Sequence, residues 1–160
     1  MQFPGFDHYL TGVLVPVAAL RSEQSCGVGE FADLAELAEW CRENGLDLIQ
    51  ILPVNDTGYQ SSPYSALSAF ALHPIYIRIA DVPEYAALST ELRAEVDAAI
   101  AELRTDQEPR ERFQYQVVIS AKQGILRQIY HARRDAIQDD PALWEWAEKN
   151  PWVRVYAAYR

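Results

Sequence analysis

The sequence predicts an α/β fold in which two parallel strands come first and a mostly helical region follows. Three observations carry this. Leu48 to Leu52 is an apolar run bounded by Asp47 and Pro53, as suits a parallel strand covered on both faces. Gly12 to Val17, GVLVPV, is a second such run, and apolar residues between the two recur at helical spacing. Beyond Asp81 the apolar residues return every three or four positions, with helix-start residues ahead of the stripes.

Taken in order, Met1 to Leu10 shows no clear period and reads as a short covering segment. Pro16 marks the mouth of the first strand, because proline cannot donate to a ladder. Ala18 to Glu30 is a loop carrying Arg21, Ser22, Glu23 and Ser25. Phe31, Leu34, Leu37, Ala38 and Cys41 form the stripe of a helix that Asn44-Gly45 stops. Strand, helix and strand from Gly12 to Leu52 make one βαβ unit, which makes the strands parallel and the crossover right-handed. Ile75, Ile77 and Ile79 alternate with Tyr76 and Arg78 and predict a short half-exposed strand.

From Asp81 the character changes. Ser89 or Thr90 caps a helix whose stripe is Leu92, Val96, Ala99, Ile100 and Leu103. A charged linker, Thr105 to Arg112, contains Pro109 and leads to a longer helix over about Phe113 to Ile137, bearing Val118, Ala121, Ile125, Ile129 and Ala132. Asp140-Pro141 combines a cap with a proline at the first helical position, ahead of Leu143, Trp144 and Trp146. Asn150-Pro151 repeats that device ahead of Trp152, Val153, Tyr156 and Tyr159. The expected division is residues 1–80 for the βαβ portion and 81–160 for the helical region.

Composition narrows the function classes. With 160 residues and 49 % apolar composition the chain can build a core. A net charge of −9 disfavours nucleic acid or an anionic membrane as partner, whereas a neutral polysaccharide is indifferent to it. Cys26 and Cys41 make neither a metal spacing nor a disulfide framework, and His8, His73 and His131 share no ligand spacing, so no metal and no cofactor are expected. With no leader and no membrane-length apolar run, the expected location is the cytoplasm.

The loop after the second strand is where chemistry is concentrated. Tyr59 and Tyr64 stand beside Ser61, Ser62, Asn55 and Asp56. Such a loop suits one wall of a carbohydrate site, because tyrosine rings lie on the apolar face of a sugar while hydroxyls and amides reach its rim. An ordinary turn with buried rings is the alternative. Asp56 fits a sugar hydroxyl or an Asx turn, the turn being the plainer reading. Glu23 and Glu30 read as solvated loop charges or cap partners. Trp144, Trp146 and Trp152 fit a sugar platform, but helical tryptophans are more often core.

The stretch ILPVNDTGYQSSPYSALSAFALHPIYI resembles the segment of the 4-α-glucanotransferases (amylomaltases and disproportionating enzymes, glycoside hydrolase family 77) spelled Q-x-L-P-hydrophobic, then T-G-x-x-x-S-P-Y-x-S-x-S-A-F. The matching residues are Gln50, Leu52, Pro53, Thr57, Gly58, Ser62, Pro63, Tyr64, Ser65, Ser68, Ala69 and Phe70. LRSEQSCGVGEF resembles the family's first loop, L-P-x-x-x-G-I-G-D, with Glu30 where Asp is commoner. Arg21-Ser22-Glu23 and Asn55 to Thr57 are most similar to the branch holding plant cytosolic disproportionating enzyme and its bacterial relatives. That branch often has a longer loop before S-P-Y and starch-binding modules in front, and neither is seen here. Gly27-Val28-Gly29-Glu30-Phe31-Ala32 also fits a degenerate dinucleotide fingerprint, but nine residues separate Val17 from Gly27, too far for that site.

The resemblance implies a (β/α)8 barrel, with this chain supplying its first two strands and a mostly helical inserted region that leads toward the third. It implies transfer of α-1,4-glucan segments between maltooligosaccharides by a retaining double displacement. The two carboxyl groups that such chemistry needs are implied to follow later strands, so no catalytic residue is expected in this chain and the fragment alone is expected to be inactive. Ser62 and Tyr64 are implied to line the site next to the scissile bond, and Tyr59 to match an aromatic used at a second glucan site. Ser62, Tyr64, Tyr59 and Asp56 are the candidate substrate-binding residues. The last helix reaches Arg160 without a stop signal, from which a cut chain is expected, one that self-associates through open strand edges or exchanged helices. The competing expectation is a freestanding, non-catalytic α-glucan-binding domain.

Overall fold

The computed structural model describes residues 9–106 and 114–160. The covering segment, up to residue 8, and most of the charged linker lie outside the described residues. Strand β1 (Gly12–Val15) and strand β2 (Leu48–Ile51) pair in parallel, Gly12 opposite Leu48 and Val15 opposite Ile51. Between them runs helix α1 (Asp33–Glu43). Its end is a Schellman turn: Gly45 sits at φ +68°, its N–H donates to Arg42 O at 3.3 Å, and the Leu46 N–H donates to Cys41 O at 2.9 Å. The Asn44-Gly45 stop is therefore the predicted one.

Five helices follow among the described residues: α2 (Pro83–Ala86), α3 (Thr90–Asp106), α4 (Tyr115–Gln138), α5 (Pro141–Lys149) and α6 (Trp152–Tyr159). Ser89 caps α3, its Oγ accepting from Leu92 N at 3.2 Å. Asp140 caps α5, accepting from Ala142 N at 2.8 Å ahead of Pro141.

The core gathers along α4. Ile125 and Ile129 pack with Val96, Ile100 and Leu103 of α3 and with Cys26 and Ile79. About two turns earlier, Val118 and Ile119 pack with Val28 and Ile75, flanked by Tyr76 and Tyr115. Each such fully buried isoleucine contributes about 1.5–3 kcal/mol through removal from water. Both clusters join the helical region to the loops after β1 and β2, so α4 acts as the floor on which those loops rest.

Four expectations are corrected. The strands are short and largely uncovered: Leu14 is 59 % exposed and Leu48 45 %. The helical layers that would bury both faces of a parallel sheet are not supplied within these residues. Ile75 to Ile79 is not a strand. Pro74 opens a 3-10 turn (Pro74–Tyr76), His73 Nδ1 accepts from Ile75 N at 3.2 Å, and a second turn covers Ile79–Asp81. Ile75 and Ile79 are the deeply buried pair, so the pattern that matters is one of four residues and not of two. Asn150 does not cap the start of α6 but closes the end of α5: its amide donates to Trp146 O at 2.9 Å and accepts from Trp152 Nε1 at 3.3 Å. Trp144 and Trp146 are exposed, while Trp152 is partly buried and stacks on Phe70 at 5.6 Å.

Candidate functional site

The C-terminal ends of β1 and β2 lie side by side, so the loops leaving them open on one face. After β1, Pro16 leads into a 3-10 turn (Val17–Ala19). Gly29 lies against this turn, its N–H donating to Ala18 O at 3.0 Å. A Cβ at Gly29 would stand 2.0 Å from Val17 O, which is why the position holds glycine.

After β2 the chain doubles back. Asp56 N donates to Ala71 O at 2.8 Å, His73 N to Val54 O at 2.9 Å, and Asn55 bridges Leu72. This short antiparallel stem throws residues 57–70 outward as a projecting loop. A groove of about 660 Å3 runs between the two loops. Val17 and Ala19 line it from one side, and Ser61, Pro63 and Tyr76 from the other. Its size is that of a small-molecule or oligosaccharide cleft.

The candidate residues separate into three positions. Tyr64 projects into solvent, 74 % exposed, and Ser62 beside it is exposed, its Oγ accepting from Tyr64 N at 3.4 Å. Neither lines the groove, whereas Ser61 and Pro63, their neighbours in the chain, do. Tyr59 is 66 % exposed and borders a separate hollow of about 430 Å3, with Leu67 and Tyr159. Asp56 is fully buried. It forms the Asx turn: Oδ1 accepts from Gly58 N at 2.8 Å, while Oδ2 takes the Tyr156 hydroxyl and lies 3.3 Å from Arg160 Nε. Burial alone would raise the Asp56 carboxyl, but the Tyr156 hydroxyl, the Gly58 N–H and Arg160 together hold it below its ordinary value. Burial, aided by Asp56, pushes the Tyr156 phenol up to about 12.

Beneath the projecting loop lies a polar knot that the sequence reading missed. Tyr115 of α4 donates to Gly58 O at 3.0 Å, and its hydroxyl contacts Thr57 Oγ1 and His73 Nε2. His73 is buried 3.7 Å from Asp56. Burial lowers its pKa, and the Asp56 charge only partly opposes this.

A second knot lies under the loop after β1, and it corrects the expectation for Glu30. That carboxylate is fully buried, not solvated. It accepts from Lys122 Nζ, from Arg78 Nε at 3.0 Å and from Cys26 N at 3.3 Å. Asp33 accepts from Ser22 Oγ at 2.7 Å, Ser25 Oγ at 2.8 Å and Glu30 N at 2.7 Å, and pairs with Arg78. Burial works against the Arg78 charge, yet its Glu30 and Asp33 partners hold the guanidinium above its ordinary value. Burial lowers Lys122 despite the Glu30 charge. The signal that could have found this knot was Lys122 itself, a cation on the apolar stripe between Val118 and Ile125.

Among the described residues lining the groove none is a carboxylate. The groove can therefore bind and orient but offers no acid–base pair of its own. Among the described residues no group of three or more His, Cys, Asp or Glu is placed to hold a metal, and no helix is long and apolar enough to cross a membrane.

Comparison with known proteins decides the family. The model of the 4-alpha-glucanotransferase family matches residues 15–160. The chain belongs to that family. A 4-alpha-glucanotransferase of Chlamydia caviae is 35 % identical over 153 residues, which is 93 % of this chain and 27 % of that protein. The rice protein 4-alpha-glucanotransferase DPE2 (Oryza sativa subsp. japonica) is 33 % identical over 154 residues, 92 % of this chain and 16 % of the relative. Among solved structures, amylomaltase from Corynebacterium glutamicum superposes with a TM-score of 0.70 at 30 % identity, covering 79 % of this chain and 19 % of that one. The chain thus spans between a sixth and somewhat over a quarter of the length of these 4-alpha-glucanotransferases.

Proposed function

We propose that these 160 residues are the N-terminal part of a 4-α-glucanotransferase that passes α-1,4-glucan segments between maltooligosaccharides by retaining double displacement in the cytoplasm. In this reading β1 and β2 are the first two strands of a (β/α)8 barrel. Residues 1–80 supply the barrel portion and 81–160 a helical insertion. The chain contributes substrate binding, and the catalytic carboxyl groups come from outside it, so it is inactive alone.

The observation that supports the reading is a groove at the C-terminal ends of two parallel strands, lined from the loop after β2 by Ser61 and Pro63, with Ser62 and Tyr64 exposed beside them in the chain. Tyr64 and Ser62 touch the glucan beside the scissile bond. Tyr59 stacks on a second stretch of glucan over its own hollow. Asp56 serves from below, holding the loop in shape. A freestanding binding module is the weaker reading, because the relatives named above are called 4-alpha-glucanotransferases and are several times longer.

The test is substitution in the full-length protein. Tyr64→Phe should lower maltotriose turnover by about tenfold with little change in melting temperature, as loss of one substrate hydrogen bond implies. Tyr59→Phe should be nearly silent, whereas Tyr59→Ala should weaken action on long glucans and spare maltotriose. Unchanged turnover in Tyr64→Phe removes that residue from the site.

A further inference from the structure

Helix α4 reaches both loops that flank the groove. Tyr115 and Lys122 lie seven residues apart, two turns, and so share one face. The Tyr115 hydroxyl holds the projecting loop at Gly58 and Thr57. Lys122 holds something wider. Its ammonium is fully buried and donates to Glu30 Oε1, to Ile75 O at 2.7 Å and to Ile77 O at 3.0 Å. All three of its protons are used. Glu30 belongs to the loop after β1, and Ile75 and Ile77 follow the loop after β2. One nitrogen therefore ties both loops to α4. The two loops meet again nearby, where Phe31 N donates to Tyr76 O at 2.9 Å.

Stability alone does not call for a lysine here. A buried ion pair is often matched or bettered by apolar residues of similar volume. An apolar side chain cannot, however, hold three oxygens from two loops at one point. The carbonyls it holds flank Tyr76, and Ile75 and Tyr76 line the groove opposite Val17 and Ala19. We propose that Lys122 is a positioning residue, whose bonds to Glu30, Ile75 O and Ile77 O set the width of the groove and through it the binding of glucan. The proposal rests on the transferase reading above for its substrate. It leaves chemistry to other groups.

The experiment compares three variants of the full-length protein, assayed at a temperature where each is folded. Glu30→Gln keeps an acceptor oxygen for Lys122 and both carbonyl bonds, so KM for maltotriose should stay within about twofold even though melting temperature falls. Lys122→Met loses all three bonds and leaves the buried Glu30 and Asp33 carboxylates to share Arg78 as their remaining cation. Glu30→Gln combined with Lys122→Met removes the surplus buried negative charge while Arg78 keeps Asp33, so melting temperature should recover relative to Lys122→Met. KM should nevertheless be about tenfold above wild type with kcat little changed, since misplaced binding groups cost affinity even in a folded protein. Backbone hydrogen exchange across residues 74–78 should also quicken in the double variant. A double variant with wild-type KM and wild-type exchange overturns the proposal, as does a KM in Glu30→Gln that rises in step with lost stability. If the wild-type protein does not turn over maltotriose, the functional reading fails, and exchange at 74–78 still decides the positioning claim.

Discussion

Replacing Gly29 by alanine tests the packing that forms one wall of the groove. The added methyl would lie 2.0 Å from Val17 O, 2.4 Å from Leu20 O and 2.7 Å from Leu20 N, all backbone atoms of the turn after β1. None of these can swing aside as a side-chain tip would, so the turn must retreat by about 1 Å. Two hydrogen bonds are then broken or stretched, Gly29 N to Ala18 O and Leu20 N to Val17 O, both 3.0 Å now, at about 1 kcal/mol each. Val17 and Val28, both fully buried, lose part of their packing for about another 1–2 kcal/mol. The expected loss is about 3–4 kcal/mol, or about 10 °C in melting temperature for a unit of this size. Urea unfolding followed by tryptophan fluorescence reads it. Gly124→Ala is the control. It lies within α4 with nothing within 4 Å, and should stabilise by about 0.5–1 kcal/mol through helix propensity. A Gly29→Ala midpoint within 1 kcal/mol of wild type, against that control, would refute the close-packing argument.

Two further outcomes follow from the buried groups and the open sheet. Burial holds His73 below its ordinary 6.5, so the native imidazole stays neutral where the unfolded chain takes a proton. Its contribution is therefore complete above pH 6.5 and is lost as pH falls from there through the native value, by up to about 1.4 kcal/mol per pH unit. His73→Asn keeps an acceptor for Ile75 N and should flatten stability between about pH 7 and 5.5; an unaltered slope assigns the effect elsewhere. Separately, with Leu14, Leu48 and Ile51 exposed on a two-stranded sheet, the isolated chain should self-associate. Light scattering showing a monodisperse monomer would contradict this.

Local chemistry made much of the fold legible. The Asn44-Gly45 stop and the Asp140-Pro141 start depend on residues close in sequence, the parallel pairing follows from the helix between the two strands, and the structure shows all three where they were expected. The misreadings have a common cause in tertiary partners. Ile75 to Ile79 alternates like a strand, but Pro74 and the His73 side chain impose a turn, and among the described residues no neighbouring strand competes for its backbone. Glu30 reads as a loop charge until Lys122, ninety-two positions away, is folded over it. Ser62 and Tyr64 were expected at the site from their loop, and the structure leaves both exposed next to Ser61 and Pro63 of the groove. Asp56 was legible only as a choice, and burial beneath Tyr156 resolved it toward the Asx turn. Tyr115, whose hydroxyl meets Thr57, Gly58 and His73, gave no local sign, since an aromatic at a helix start reads as core.

The most direct test of the account is the product pattern of the full-length protein given maltotriose alone. Transfer predicts release of glucose together with maltooligosaccharides longer than the substrate, resolved by chromatography over time, and none of these from the 160-residue chain by itself. Conversion to glucose and maltose without longer products would make the parent a hydrolase. No conversion at all, by a folded full-length protein, would contradict the assignment of glucan transfer to the groove beside Ser62 and Tyr64.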